Sequence, residues 1–114
     1  MFGYNKVMDT RSEDIRRLTE VLVREFKPHK VVIFGSRVYG TARSDSDLDV
    51  LVVLPFEGSP IAMMSSLLAR AYTTMREPFA VDIHPRRPLI GGAAPDDVMR
   101  EALERGVVVY ECAA

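Results

Sequence analysis

Two aspartates one residue apart, Asp47 and Asp49, open the apolar run Asp47-Leu48-Asp49-Val50-Leu51-Val52-Val53. The run is rich in β-branched residues and short enough to be a strand. Alternate side chains of a strand share a face, so both carboxylates project together while Leu48 and Val50 turn into the core. Like charges so placed repel and add nothing to a strand. They make sense around a divalent cation, because hard ions such as Mg2+ take oxygen ligands and keep positions open for substrate phosphates. Upstream of Asp47, with ten residues between, another apolar run, Val31-Val32-Ile33-Phe34, ends in Gly35-Ser36. Glycine lets a backbone approach a ligand closely, and a helical turn starting there aims N–H groups at an anion. Phosphate on one side and a carboxylate-held metal on the other is the chemistry of nucleotidyl transfer.

A third carboxylate, Asp82, interrupts the apolar run Phe79 to His84, which lies between Pro78 and Pro85. A buried, unpaired carboxylate costs on the order of several kcal/mol, and a metal shared with Asp47 and Asp49 would offset that cost. His84 shares the face of Asp82, but beside a proline it reads as structural. Arg37 and Arg43 flank the phosphate site, where either offers a charged fork to a triphosphate; a solvent-exposed arginine is the plain alternative for each. Asp45 and Ser46 shape the turn into the second strand through side-chain to backbone bonds.

Gly35-Ser36 followed by Asp47-Leu48-Asp49 resembles the signature of the polymerase β nucleotidyltransferase superfamily. More narrowly, Gly35-Ser36-Arg37 with Ser44-Asp45-Ser46-Asp47-Leu48-Asp49-Val50 is similar to the minimal nucleotidyltransferases (MNT proteins), small prokaryotic members that serve as antitoxins to HEPN-domain toxins. The resemblance implies a palm-like core binding ATP or another nucleoside triphosphate at Gly35, Ser36, Arg37 and Arg43. It also implies two Mg2+ ions held by Asp47, Asp49 and Asp82, with Asp82 as general base. The implied acceptor is a hydroxyl, a tyrosine of a HEPN toxin, which adenylylation would silence. Transfer to a small molecule such as an antibiotic, and a non-catalytic antitoxin that masks its partner by contact, are the alternatives.

The elements that must position these residues are legible in order. Residues 1–9 read as a loose tail, and Thr10-Arg11-Ser12-Glu13 as a capping box. The helix that follows carries Ile15, Leu18, Leu22 and Phe26 on one stripe and stops at Pro28. Lys30 to Phe34 reads as a strand buried on both faces, and residues 35–43 as a turn with a short helical segment. The second strand is expected over Asp47 to Leu54. Ser59-Pro60 opens a helix to about Met75, apolar on more than one stripe. It packs on both sides within the domain, or leaves a methionine-rich patch for a partner protein. A third strand is expected over Phe79 to His84, then an irregular loop over residues 85–95. Pro95 opens a last helix that Gly106 closes, and Val107 to Tyr110 forms a final strand. The expected fold is α/β (α+β): a small mixed sheet of about four strands with helices packed on it.

The 114 residues form one expected domain, residues 1–114, able to bury roughly two-thirds of its unfolded surface. A net charge of −1, with Lys and Arg spread along the chain, lacks the basic face that binding a long nucleic acid requires. No apolar run approaches the ~20 residues of a membrane span, and the N-terminus lacks a secretory layout. The single cysteine, Cys112, rules out an internal disulfide and suits a reducing cytoplasm.

Overall fold

Valine-rich runs become strands because β-branched side chains fit a pleated, packed surface. The computed structural model describes residues 12–40, 47–75 and 80–112. The elements are α1 (Ser12–Phe26), β1 (Lys30–Phe34), α2 (Ser36–Tyr39), β2 (Leu48–Val53), α3 (Pro60–Thr74), β3 (Val81–Arg86), α4 (Asp97–Arg105) and β4 (Val107–Glu111). They build one mixed sheet of order β3-β2-β1-β4, as the patterning predicts. β1 is antiparallel to both β2 and β4, whereas β2 is parallel to β3. Parallel neighbours need a crossover, and α3 supplies it. The tail, residues 10 and 11 of the capping box, Arg43, Asp45, Ser46 and Phe79 lie outside the described residues.

Both faces of the sheet are covered. Val31, Ile33, Leu48, Val50, Val52, Val81 and Ile83 belong to the core shared with Ile15, Leu18 and Leu22 of α1 and Leu67 and Ala71 of α3. Val32, Phe34, Leu51 and Val53 pack on Met99 and Ala102 of α4. Double coverage is the reason β1 and β2 read as unbroken apolar runs. α1 turns most of its charges outward, where Arg16 pairs with Glu13 and, at 2.6 Å, with Glu20, while Asp14 is buried.

Three expected boundaries shift. β2 begins at Leu48, because pairing with β3 starts at Leu48↔Val81 and Leu48 N–H donates to the Ala80 carbonyl at 2.9 Å. β3 runs past His84 to Arg86 and contains Pro85. It is an edge strand, where a missing N–H costs no ladder bond. α4 starts at Asp97, because Asp96 and not Pro95 ends the loop as the cap. Asp96 accepts a hydrogen bond from Met99 N–H at 2.8 Å and an ion-paired one from Arg86 Nε at 2.6 Å.

Two further readings are settled by packing. Arg86 and Arg87 hold the loop after β3 in place: Arg87 donates to the Phe56 and Gly58 carbonyls, both at 2.9 Å, with its guanidinium over the Phe56 ring. α3 is not packed on both sides, for only Leu67 and Ala71 are buried along it and Ile61 is 71% exposed. Ser59 caps α3 by accepting from Ile61 N–H and Ala62 N–H at 3.1 and 3.4 Å. Among the described residues no helix is long and apolar enough to cross a membrane.

The Met99 N–H bond, then Arg86, holds the Asp96 carboxyl below its ordinary range. A depressed carboxyl contributes stability above the unfolded value of about 3.9, and that stability is lost as pH falls through the lower folded value. Asp96→Ala is therefore expected to lower the unfolding free energy at pH 7 by about 1 kcal/mol, as lost caps do. In urea titrations the gap between variant and wild type should close at strongly acidic pH. An equal gap at all pH values would assign the loss to packing.

Candidate functional site

The site begins where β1 turns into α2. Gly35 adopts φ +93° and ψ −178°, a region reserved almost wholly for glycine. A Cβ placed there would stand 2.2 Å from Asp49 Oδ2. The carboxylate of Asp49 thus occupies the space a side chain at position 35 would need. The two halves of the motif, with ten residues between Ser36 and Asp47 in the chain, meet at Gly35 and Asp49.

Strand register adds the second carboxylate. Phe34 pairs with Asp49 across β1 and β2, and Asp49 pairs with Asp82 across β2 and β3. Parallel pairing puts the two aspartates side by side on one face, about 4.8 Å apart along the backbone. His84, two residues on from Asp82, shares that face. Its Nε2 lies 3.3 Å from Asp49 Oδ1 and 3.5 Å from Asp82 Oδ2. One ligand atom from each of Asp49, Asp82 and His84 lies within 4.8 Å of the others. The imidazole rests against Phe34, ring centroids 5.5 Å apart.

Burial raises the Asp49 carboxyl above its ordinary value, with the charges of Asp82 and Glu101 adding to the rise and the His84 contact opposing it. The side chain of Asp82 is 51% exposed. The sequence reading of a carboxylate in a buried run is corrected here: β3 lies at the sheet edge, so Asp82 keeps water on one side. Asp47 is exposed, precedes β2, and is not part of the close cluster of Asp49, Asp82 and His84. Ser36 is partly buried at the first position of α2. Arg37 is 9% exposed, so an open solvent-facing arginine is not what the fold holds there.

Four residues of this region, Tyr39, Glu101, Arg105 and His84, escape a reading by motif. Tyr39 donates its hydroxyl to Glu101 Oε2 at 2.9 Å, and the Arg105 guanidinium stacks 4.0 Å above its ring. Burial pushes the Tyr39 phenol up, the Gly35 backbone opposes this, and Glu101 reinforces it. α4 is thereby tied through Tyr39 to the turn that carries Gly35. His84 alone had a signal in the sequence, its alternation with Asp82; the meeting of α2 with α4 had none.

The sequence profile of the nucleotidyltransferase domain family matches residues 15–108. No curated protein matches the sequence. A 1.40 Å crystal structure of a Sulfolobus solfataricus protein, provisionally assigned as a nucleotidyltransferase, superposes with a TM-score of 0.62 at 16% identity, over 95% of this chain and 86% of the other. At that identity the likeness concerns the fold.

The raised Asp49 carboxyl sets an expectation. A carboxyl whose folded value is raised contributes stability below its unfolded value, and this is lost as pH rises through the folded one. Without divalent cations, Asp49→Asn should therefore melt at a higher temperature than wild type at pH 7, with the gain gone near pH 3.5. Thermal melts in chelator at both pH values measure this. A lower melting temperature at pH 7 would make Asp49 a residue of the fold and not of the chemistry.

Proposed function

The chain belongs to the nucleotidyltransferase domain family, and from that premise we propose that it transfers AMP from ATP to a hydroxyl of a partner protein of the HEPN toxin type, acting as its antitoxin. The observation that carries the reading is the Asp49–Asp82 pair set against a side-chain-free Gly35. A fold gains nothing from a partly buried carboxylate beside a second one. A cation-dependent phosphoryl site needs both.

The donor set fits a divalent cation. Asp49 and Asp82 would hold it, with Asp47 beside the strand mouth as a further oxygen ligand in the two-Mg2+ arrangement that the motif resembles. When bound, such ions neutralise charge on the triphosphate and on the departing pyrophosphate. The chain's own groups do the rest. Gly35 leaves its backbone open beside Asp49, and the Val38 and Tyr39 N–H groups donate back to the Gly35 carbonyl at 2.9 and 3.1 Å, so the turn presents its Gly35-Ser36 end to phosphate oxygens. Arg37 is buried and Arg43 lies outside the described residues, so the reading leans on neither. Asp82, its side chain half exposed, accepts the proton of the attacking hydroxyl. The hydroxyl oxygen bonds to the α-phosphorus as the bond to the β-phosphate oxygen breaks and pyrophosphate leaves.

The acceptor reading draws support from α3. Arg70 is its only charged residue, and that side chain is turned to Glu25 of α1 at 3.3 Å. Ile61 and Tyr72 stand exposed on it. An exposed apolar helix surface suits a protein partner better than a small soluble substrate.

Intact mass spectrometry tests the proposal. The product of the neighbouring gene, expected on this proposal to carry a HEPN domain, is incubated with this chain, ATP and Mg2+. The expected gain is one or more AMP units, reduced at least about a hundredfold in rate with Asp82→Asn, as loss of a general base costs. A complex that forms without mass change, and neutralises the toxin equally well with Asp82→Asn, would overturn the enzymatic reading.

A further inference from the structure

We infer that His84 is a third protein ligand of the cation site, and that its nitrogen tilts the site from Mg2+ towards a first-row transition ion. The inference rests on the metal reading above and adds a residue and a metal preference to it. Nε2 of His84 stands 3.3 Å from Asp49 Oδ1 and 3.5 Å from Asp82 Oδ2. A charge-assisted N–H···O bond closes to about 2.7–2.9 Å, and one Nε2 proton serves one acceptor well. An atom held nearly equidistant from two carboxylates, beyond the optimum for both, is placed poorly as a donor. It is placed well as a ligand: neighbouring ligands around one octahedral ion at ~2.1 Å stand about 3 Å apart.

Register supports the assignment. Asp49 and Asp82 are paired across the strands, and His84 follows Asp82 by one strand period on the same face. The Phe34 ring, 5.5 Å from the imidazole centroid, restrains its plane. Carboxylate oxygens alone suit Mg2+, whereas an added imidazole favours transition ions. Mn2+ accepts both kinds of donor and is paramagnetic, so Mn2+ alone is the probe.

Electron spin-echo modulation of the Mn2+-loaded protein reads nitrogen ligation directly. The chain has two histidines, and His29 precedes β1 at the opposite end of that strand from Gly35. Wild type and His29→Gln are expected to show the 14N modulation of a coordinated imidazole, and His84→Gln to lack it. In calorimetry His84→Gln should weaken Mn2+ at least about tenfold, the loss that even an outer-shell partner causes, and weaken Mg2+ less than about threefold. Mn2+ bound to wild type without nitrogen modulation would overturn the inference with no variant needed, and leave the carboxylate site standing. Equal Mn2+ affinity in wild type and His84→Gln would do the same. No binding of either ion to wild type, with Asp49→Asn indistinguishable from it, would remove both this inference and the metal reading beneath it.

Discussion

A carboxylate oxygen stands where the Cβ of residue 35 would have to be. The 2.2 Å separation from that missing atom and the φ of +93° are two independent demands for glycine, one from space and one from the backbone. The contact fixes the first turn of α2 relative to the start of β2, so the backbone and the carboxylate to which the proposed function assigns phosphate and metal are set by one close approach. Any side chain at position 35 pushes Asp49 out of line, and with it the row Phe34–Asp49–Asp82 that crosses three strands.

The topology exists to complete that row. β3, the parallel neighbour of β2, puts Asp82 beside Asp49 in register, and the α3 crossover makes that pairing possible. α4 covers the same face of the sheet over Val32, Phe34, Leu51 and Val53 and leaves the aspartates at its margin. There it contributes through Tyr39 and Glu101. Burial beneath these elements raises the Asp49 carboxyl, so an ionised Asp49 is held at some cost to stability.

Much of this was legible in the residues. The four strands and the supporting helices followed from β-branched runs and apolar stripes, and the spacing of Gly35-Ser36 and Asp47-Leu48-Asp49 pointed to the turn and strand start that the fold brings into contact. The boundaries of β2 and β3 moved because strand ends depend on the neighbour's register. A proline suits an edge strand, but that β3 continues past it to Arg86 is set by its pairing with β2. The exposure of Asp82 was misjudged for the same reason, since edge or centre is a property of strand order. His84 shared a face with Asp82 in the sequence itself, yet its approach to Asp49 became visible only through the parallel pairing of β2 and β3. Tyr39 and Glu101 lie 62 residues apart, and no periodicity connects them.

The central claim is that the Gly35 turn and the Asp49–Asp82 pair work as one site, and thermodynamic linkage tests it most directly. Calorimetry of a non-hydrolysable ATP analogue, with and without Mg2+ and corrected for their association in solution, measures the coupling in wild type and in Gly35→Ala. The account predicts that Mg2+ tightens analogue binding about tenfold or more and that the analogue tightens Mg2+ by the same factor, as reciprocity requires. The coupling should vanish in a Gly35→Ala protein that still melts cooperatively. Analogue binding indifferent to Mg2+ in wild type, or full coupling retained in Gly35→Ala, would contradict it.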